Sequence, residues 1–334
     1  MKKIFTIILL ICLVTTASVC LFVGCKPADK NTIRLTEVTH SVFYAPLYVA
    51  LNNGSFEEQG LTIELTNGGG ADNCMTALIA NKSDIGLMGP EAAIYVANEG
   101  REDYPIIFAQ LTKKDGSFLM SRKPMPNFKW SDLENKEVIG GRRGGMPAMT
   151  LEFALKKNNL IDGKNFKLNY DVKYDLIGAS FESGVGDFCT MFEPAASNMQ
   201  SAGKAYIVAS VGKEAGDMPF TAFMATKSYI ANNRAQVDAF TKSIVSGINY
   251  VHTHTAREIA ELILPSFVGT SVETLANAIQ SYKDAEAFCI SPEMKQADFE
   301  HLQDVIVQAG IMQKRADFNK LVDNSIAKAF TEKK

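Results

Sequence analysis

The sequence contains two similar pentapeptides that lie 103 residues apart, Asp84-Ile85-Gly86-Leu87-Met88 and Asp187-Phe188-Cys189-Thr190-Met191. Each is a short apolar run introduced by an aspartate, which is typical of a buried strand. The dipeptides Ala92-Ala93 and Ala195-Ala196 follow the two runs at the same offset. This shared offset and order predict two structurally equivalent halves.

The elements around these runs recur in the same order in each half. In the first half we predict strands over Ile33–Val38, Leu61–Leu65 and Asp84–Met88, with helices over Ala45–Asn53 and Asp72–Asn81 between them. In the second half we predict strands over Lys136–Gly140, Phe166–Val172 and Asp187–Met191, with helices over Pro147–Asn158 and Ile177–Ser183 between them. Strands that alternate with helices require crossover connections, so the pattern predicts an α/β fold with mostly parallel sheets.

Two apolar stretches, Ile106–Met120 and Pro219–Ala225, lie between the halves. If each half is a lobe, the chain passes from lobe one to lobe two once and returns once. Two such crossings make a hinge with a cleft between the lobes. We therefore expect lobe one to comprise residues 32–112 and 222–334, and lobe two to comprise residues 113–221. A series of C-terminal helices should complete lobe one, over Ser228–His252, Ala256–Leu264, Ser271–Lys283, Pro292–Gly310 and Arg315–Phe330.

The N-terminus indicates export. A basic start, Met1-Lys2-Lys3, precedes an uncharged run from Ile4 to Val23, as in a signal peptide. The run ends in Phe22-Val23-Gly24-Cys25, which resembles a bacterial lipobox although Phe22 replaces the usual leucine. We expect residues 1–24 to be a signal peptide and residues 25–31 a tether lipidated at Cys25. The alternative is an uncleaved membrane anchor, and either places the remaining chain outside the cytoplasm.

Composition excludes several classes of protein. The formal charge of −3 over 334 residues, without a basic stripe, argues against a nucleic-acid partner. Beyond Cys25 the cysteines are Cys74, Cys189 and Cys289, which have neither the spacing of a disulfide framework nor that of a metal site. We therefore expect neither a cofactor nor a metal.

Several motifs resemble those of one family. They are Phe43-Tyr44-Ala45-Pro46-Leu47-Tyr48-Val49-Ala50, Gly54-Ser55-Phe56, Glu58-Gln59-Gly60-Leu61, Gly68-Gly69-Gly70 and Ala80-Asn81-Lys82-Ser83-Asp84-Ile85-Gly86. The family is the extracytoplasmic binding proteins of importers for thiamine-pyrimidine precursors, sulfonates, taurine and nitrate. The resemblance, over residues 33–330, implies a two-lobed periplasmic-binding-protein fold of type II-like topology with two hinge crossings. It also implies a monomer that partners the permease and ATPase subunits of an ABC transporter.

Candidate ligand-binding residues follow from where ligands bind in open α/β sheets, which is outside the carboxyl ends of the strands. Gly144 and Gly145 precede a helix, where backbone N–H groups favour electron-rich atoms, although they could simply form a tight turn. Glu91 and Glu193 follow the third strand of each half, and either could instead stabilise a helix N-terminus. The predicted ligand-binding set is Thr39, His40, Phe43, Tyr44, Asn73, Glu91, Gly144, Gly145, Tyr174, Phe192 and Glu193.

The residue types in this set favour one ligand class. Carboxylates repel anions and accept hydrogen bonds from amines, while aromatic side chains offer flat apolar faces. We therefore predict a neutral or cationic heteroaromatic ligand, such as a thiamine-pyrimidine precursor, with a sulfonate or taurine-type anion as the alternative. A sensing module that is not coupled to transport is a further alternative. The fungal thiamine-pyrimidine synthase is an enzyme of this fold that uses a cysteine cluster. This chain has no such cluster, and it carries an export signal, so both features argue against an enzyme.

Overall fold

The computed structural model describes residues 31–173 and 176–331, and in these ranges the chain forms two five-stranded sheets. The predicted signal peptide, Cys25 and Tyr174 lie outside the described residues. The strands in chain order are β1 (Thr32–Glu37), β2 (Thr62–Asn67), β3 (Ile85–Met88), β4 (Pro105–Thr112), β5 (Phe118–Ser121), β6 (Glu137–Ile139), β7 (Lys167–Asn169), β8 (Phe188–Met191), β9 (Tyr206–Ser210) and β10 (Thr221–Thr226).

The two sheets have equivalent topologies. The first has the order β2-β1-β3-β10-β4 and the second the order β7-β6-β8-β5-β9. Strand β3 lies between parallel β1 and antiparallel β10, and β8 lies between parallel β6 and antiparallel β5. Because β3 and β8 carry the two repeated pentapeptides, the repeat in the sequence corresponds to one central position in each sheet.

The helices that connect these strands are α1 (Ala45–Asn52), α2 (Ser55–Glu58), α3 (Ala71–Ile79), α4 (Glu91–Asn98), α5 (Met146–Lys157), α6 (Ile177–Glu182), α7 (Ala195–Ser201) and α8 (Val211–Ala215). The C-terminal helices are α9 (Lys227–Asn232), α10 (Arg234–Thr253), α11 (Ala256–Ile263), α12 (Val272–Asp284), α13 (Gln296–Gln308), α14 (Phe318–Leu321) and α15 (Asn324–Thr331). Short 3-10 turns occur at Val42–Tyr44, Trp130–Leu133 and Leu264–Ser266.

Two segments carry the chain between the sheets, from β4 to β5 and from β9 to β10, and they touch each other. The backbone N–H of Val211 donates to the carbonyl of Ser117 at 3.0 Å. A Cβ at Gly212 would lie 2.2 Å from the carbonyl oxygen of Asp115, so only glycine allows this approach. The two predicted crossings are therefore confirmed, whereas the exact lobe boundaries stay predictions.

The C-terminal helices pack mainly on the first sheet and its helices. Helix α10 crosses α1 at Gly247, where a Cβ would lie 2.0 Å from the carbonyl oxygen of Pro46. Helix α13 also contacts α5, which follows β6 of the second sheet. The C-terminal region thus contacts both halves rather than completing the first half alone.

Two predicted C-terminal helices are each divided in two. The helix expected over Ser228–His252 breaks at Asn233, which has φ −131° and separates α9 from α10. The helix expected over Arg315–Phe330 breaks at Val322, which is extended and pairs with Ile107 of β4. Backbone pairing with an edge strand therefore replaces one turn of helix.

Two further observations concern membrane spans and cysteines. No helix within residues 31–173 and 176–331 is long and apolar enough to cross a membrane. Cys74, Cys189 and Cys289 are buried free thiols, as expected for cysteines used as small apolar residues.

Candidate functional site

The candidate site is built from loops at the carboxyl ends of adjacent parallel strands. In the first sheet β1 pairs with β3, so the loop after Glu37 and the loop after Met88 lie side by side. In the second sheet β6 pairs with β8, so the loop after Ile139 and the loop after Met191 also lie side by side. The loops that carry the predicted residues therefore lie, in the part of the chain that the structure describes, at one edge of each sheet.

Aromatic rings from both halves meet in one cluster centred on Phe43. Its ring centroid lies 4.9 Å from that of Tyr282, 5.7 Å from that of Phe192 and 5.9 Å from that of Phe220. Phe43 and the neighbouring Tyr44 are 1% and 3% exposed, and Phe192 is half-buried. Because Phe43 follows β1 and Phe192 follows β8, the cluster joins the loops of the two sheets.

Both ring nitrogens of His40 lie within hydrogen-bond distance of other groups of the protein. Its Nδ1 lies 3.0 Å from Glu37 Oε1 and 2.8 Å from the Tyr48 hydroxyl, and its Nε2 donates to the carbonyl of Ser266 at 2.8 Å. Burial raises the pKa of Glu37, while the hydrogen bonds from Tyr48 and His40 act in the opposite direction. Both ring nitrogens of His40 thus have partners, and the adjacent Thr39 is exposed.

Glu91 begins helix α4 directly after β3 and is 8% exposed. Its Oε2 atom is buried and has no hydrogen-bond partner among the described residues. Its carboxylate folds over Gly89, where a Cβ would lie 1.9 Å from Oε2. Burial raises the pKa of Glu91 to about 7, its own backbone N–H opposes this shift, and the negative charge of Asp72 adds to it.

Glu193 occupies the corresponding place after β8 but has a different environment. It is 2% exposed, and both of its carboxylate oxygens accept hydrogen bonds from Ser197. Its backbone N–H donates to the Tyr282 hydroxyl at 3.0 Å, which ties this loop to the aromatic cluster. Its carboxylate therefore serves the first turn of α7, as a helix N-terminal acid does.

The glycine-rich loop after β6 leads into helix α5. Gly144 has φ +79°, which favours glycine, and Gly145 is the residue that precedes the first helical turn. The first turn of α5 contains no acidic residue, so its backbone N–H groups face no carboxylate of that turn. A small cavity of about 60 Å³ adjoins this loop and is lined by Arg143, Gly144, Ala148, Met149, Glu152, Tyr170, Ala309 and Ile311.

The two arginines of the loop have separate partners. Arg143 lies over the ring of Tyr170, 4.0 Å from its centroid. Arg142 pairs with Asp72 of α3 at 3.3 Å, so this ion pair links the loops of the two sheets. The predicted residue Asn73, beside Asp72, is exposed and donates to the carbonyl of Gly68 at 2.8 Å, which closes its own loop.

Sequence reasoning missed a buried acid in the first crossing. Asp115 is fully buried, and its Oδ1 accepts from the backbone N–H of Ser117 at 2.6 Å. The Oδ2 atom of Asp115 and the hydroxyl of Ser117 have no hydrogen-bond partner among the described residues. Burial raises the pKa of Asp115 to about 7, and the nearby Ser117 and Thr150 act in the opposite direction. The signal was a charged group, Lys113-Lys114-Asp115, in the middle of the apolar stretch Ile106–Met120.

Cys25 and Tyr174 lie outside the described residues, so their roles stay predictions. In the described part of the chain no group of three or more His, Cys, Asp or Glu side chains could hold a metal ion.

Comparison with known proteins relates this architecture to binding proteins. Residues 42–257 match the family described as NMT1/THI5 like. A protein of Bacillus subtilis (strain 168), named "Putative binding protein YtlA", is 38% identical over 312 residues, which is 93% of each chain.

Two solved structures have the same fold at low sequence identity. The ligand binding component of an ABC-type import system from Staphylococcus aureus, solved with zinc bound, has a TM-score of 0.71 at 14% identity, over 90% of this chain and 99% of that one. The periplasmic aliphatic sulphonate binding protein SsuA from Escherichia coli has a TM-score of 0.69 at 14% identity, over 87% of this chain and 97% of that one. These likenesses confirm the predicted two-lobed periplasmic-binding-protein fold.

Proposed function

This chain belongs to the NMT1/THI5-like family, and from that premise we propose that it is the solute-binding component of an ABC importer. It captures a small molecule in the cleft between its two lobes and delivers it to permease and ATPase subunits. The role of the Staphylococcus aureus protein of the same fold supports this assignment. The chain acts by binding and release, and no chemical step is part of the proposal.

The contact between Phe43 and Phe192 is the observation that carries this proposal. The two rings project from the carboxyl ends of β1 and β8, in different sheets, and meet edge to face with an interplanar angle of 73°. Both belong to loops where an α/β sheet binds its ligand. A cleft lined from both lobes by aromatic rings suits a flat, apolar molecule.

We assign an amine-bearing heteroaromatic, such as a thiamine-pyrimidine precursor, as the ligand. The aromatic cluster would stack on its ring, and the buried carboxylate of Glu91 would accept from its amino group. An unpaired buried acceptor costs roughly 1–3 kcal/mol, and a donor from the ligand would recover that free energy. An anion would gain nothing from Glu91.

A sulfonate-type anion is the second candidate, and the loop before α5 favours it. Gly144 and Gly145 precede a twelve-residue helix without an acid in its first turn, and the Gly145 N–H donates to the Arg142 carbonyl at 3.2 Å within the loop. Such a helix start attracts negative charge. The sulphonate-binding protein of Escherichia coli has the same fold.

We further propose that Cys25 is lipidated and holds the chain on the outer side of the cell membrane. The basic start, the apolar run and the lipobox-like Phe22-Val23-Gly24-Cys25 support this anchor. A tether up to residue 31 would then precede β1.

The test of the ligand class is native mass spectrometry of the protein purified from its own host, followed by identification of the released molecule. We expect a heteroaromatic compound with an amino group, and calorimetry with that compound should give a single site. Release of an alkanesulfonate would reject the heteroaromatic class in favour of the anion. Purification with no bound molecule, and no binding of pyrimidines or sulfonates in calorimetry, would contradict the solute-binding role itself.

A further inference from the structure

Glu91 and Tyr95 lie one turn apart on α4 and share one face of the helix. Glu91 Oε2 and the Tyr95 hydroxyl are both buried, and neither has a hydrogen-bond partner, in each other or elsewhere, within the described residues. Polar atoms buried in this way are rare, because each one loses its water without replacement. Two such atoms, Glu91 Oε2 and the Tyr95 hydroxyl, lie on successive turns of one helix, where they could bind polar groups of a ligand.

A second carboxylate lies close to this pair. Helix α3, which carries Asp72 in its first turn, packs against α4. Burial raises the pKa values of both Glu91 and Tyr95, and the negative charge of Asp72 adds to both shifts. On its outer side Asp72 pairs with Arg142 from the loop of the other sheet, and both side chains of that ion pair are largely exposed. The group therefore combines the buried carboxyl of Glu91 and the buried hydroxyl of Tyr95 with a more exposed carboxyl, that of Asp72.

We propose that Glu91, Tyr95 and Asp72 form a subsite for an ammonium or amidinium group of the ligand, which extends the proposed function by assigning the ligand a positive charge. An ammonium group carries three N–H donors and no acceptor, so it matches three oxygen acceptors. Charge-assisted hydrogen bonds of this kind are about twice as strong as neutral ones. Neither Tyr95 nor Asp72 belongs to the ligand-binding set predicted from the sequence.

The same group of residues discriminates against anions. A sulfonate placed beside Glu91 would meet a negative charge in a buried environment, where repulsion is poorly screened, and the exposed carboxylate of Asp72 would add a weaker repulsion. A neutral hydroxyl in place of the ammonium would offer one donor to three acceptors. The subsite therefore selects the cation over both its neutral and its anionic analogues.

Ammonium binding should depend on pH because it requires ionised Glu91. The pKa of free Glu91 is raised to about 7 by burial, with Asp72 contributing, whereas a bound cation would lower it. Below pH 7 the cation must displace a proton, so its affinity should fall by up to about tenfold per pH unit. The titratable groups that act on Glu91 and Tyr95 are each other and Asp72 on α3, and Arg142 pairs with Asp72.

The test uses two pairs of probes that differ only in a charged group. One pair is 4-amino-5-aminomethyl-2-methylpyrimidine and its 5-hydroxymethyl analogue, and the other is benzylamine and benzyl alcohol. Binding is measured by calorimetry or ligand-observed NMR on wild type, Glu91→Gln, Tyr95→Phe and the control Glu99→Gln. Glu99 lies at the exposed end of the same helix, so its variant makes the same charge change away from the subsite.

We expect wild type to prefer the aminomethyl member of each pair by about tenfold or more. Glu91→Gln should lose roughly 10- to 100-fold in affinity for the aminomethyl compounds only, and Tyr95→Phe should lose about 3- to 10-fold. Glu99→Gln should bind as wild type does. Benzylamine affinity should fall between pH 7 and pH 5.5 in wild type and stay level in Glu91→Gln.

The outcomes separate this inference from the proposed function. If the pyrimidines bind but show no preference for the aminomethyl member, the subsite is wrong while the ring class stands. If benzylamine is preferred over benzyl alcohol and neither pyrimidine binds, the subsite stands and the pyrimidine class is wrong. If Glu91→Gln retains the full preference, or if none of the four compounds binds, the assignment of the subsite is overturned.

Discussion

Ser197 donates twice to the carboxylate of Glu193, through its backbone N–H to Oε2 at 2.9 Å and through its hydroxyl to Oε1 at 2.8 Å. In the other half Tyr95 occupies the same position relative to Glu91, four residues later, and makes no such bond. A serine hydroxyl is short enough to reach back one turn, whereas the tyrosine hydroxyl stands at the end of a rigid ring. This difference at position i+4 leaves the Oε2 atom of Glu91 without a partner among the described residues, whereas both carboxylate oxygens of Glu193 are held by its own helix.

The first prediction concerns the stability that Glu193 gives to α7. Glu193→Ala should lower the free energy of unfolding by about 1–3 kcal/mol, because two half-buried donors of Ser197 lose their acceptor. Ser197→Ala should lower it by about 1 kcal/mol, because the backbone N–H remains. Urea denaturation of the two single variants and the double variant gives the coupling energy. Unchanged unfolding of Glu193→Ala, together with ligand affinity weakened by about one to two orders of magnitude, would place this carboxylate in the ligand site instead.

Asp115 carries the second prediction. Because the folded protein raises the pKa of Asp115 to about 7, it holds this proton more tightly than the unfolded chain does. The free energy of unfolding should therefore fall as pH rises from about 4 to 7, by up to about 1.4 kcal/mol per pH unit from this group. Asp115→Asn keeps an acceptor for the Ser117 N–H and removes the titration.

Urea denaturation at several pH values between 5 and 8 tests this dependence. The difference in unfolding free energy between Asp115→Asn and wild type should shift in favour of the variant as pH rises to about 7 and then level off. Comparing the two proteins cancels the contribution of Glu91, which titrates in the same range. A difference that stays constant with pH would show that Asp115 is not protonated in the folded protein.

The close packing of Gly116 on Phe43 gives the third prediction. A Cβ at Gly116 would lie 2.7–2.9 Å from three atoms of the Phe43 ring. Gly116→Ala should therefore displace the ring at the centre of the aromatic cluster, lower the unfolding free energy by about 1–3 kcal/mol and weaken ligand binding.

Gly178 provides the matched control for Gly116. It lies in α6, and a Cβ there would lie 3.8 Å from the Met191 side chain, which is ordinary contact. Gly178→Ala should be tolerated, with a gain of about 0.5–1 kcal/mol from the higher helix propensity of alanine. Equal stability of the two variants would contradict the packing argument for Gly116.

The order of elements could be predicted from the sequence because it depends on apolar periodicity, which the repeat shows twice. The sequence predicts that β3 begins at Asp84, one residue before the observed start at Ile85. The backbone N–H of Asp84 donates to the carbonyl of Arg34 in β1, and its side chain accepts from the backbone and guanidinium of the same arginine. The predicted bounds of helix α5 agree with the observed ones to within one residue at each end, because Pro147 fits the first turn and the apolar face continues to Leu155.

Side-chain partners could not be predicted in the same way. Whether Glu91 or Glu193 is satisfied depends on rotamers and on contacts such as Tyr282 with the backbone of Glu193, 89 residues away in sequence. His40 illustrates the same limit, because its partner Ser266 lies 226 residues later. Tyr95 and Ser197, however, were visible four residues after each glutamate, and their different lengths were a usable signal.

The fourth prediction concerns the N-terminus. If Cys25 receives the lipid, Cys25→Ser should abolish metabolic labelling by fatty acid and leave the signal peptide on the protein. Mass spectrometry of the intact protein distinguishes a processed, acylated chain from an unprocessed one. A wild-type chain that is exported but not acylated would argue for an uncleaved anchor.

The last prediction concerns closure of the two lobes. The lobes are joined by two crossings that touch at Gly212 and Asp115, so a rotation there would open and close the cleft with little change in either sheet. Small-angle scattering should show a smaller radius of gyration when the molecule identified by native mass spectrometry is added to saturation. An unchanged radius, with binding measured in the same sample, would contradict closure.

Arg142 and Asp72 should contribute little to the closed state, because both are largely exposed and such ion pairs are worth about 0–1 kcal/mol. Arg142→Ala should therefore change affinity by less than about fivefold, and a much larger loss would mean that this arginine contacts the ligand itself.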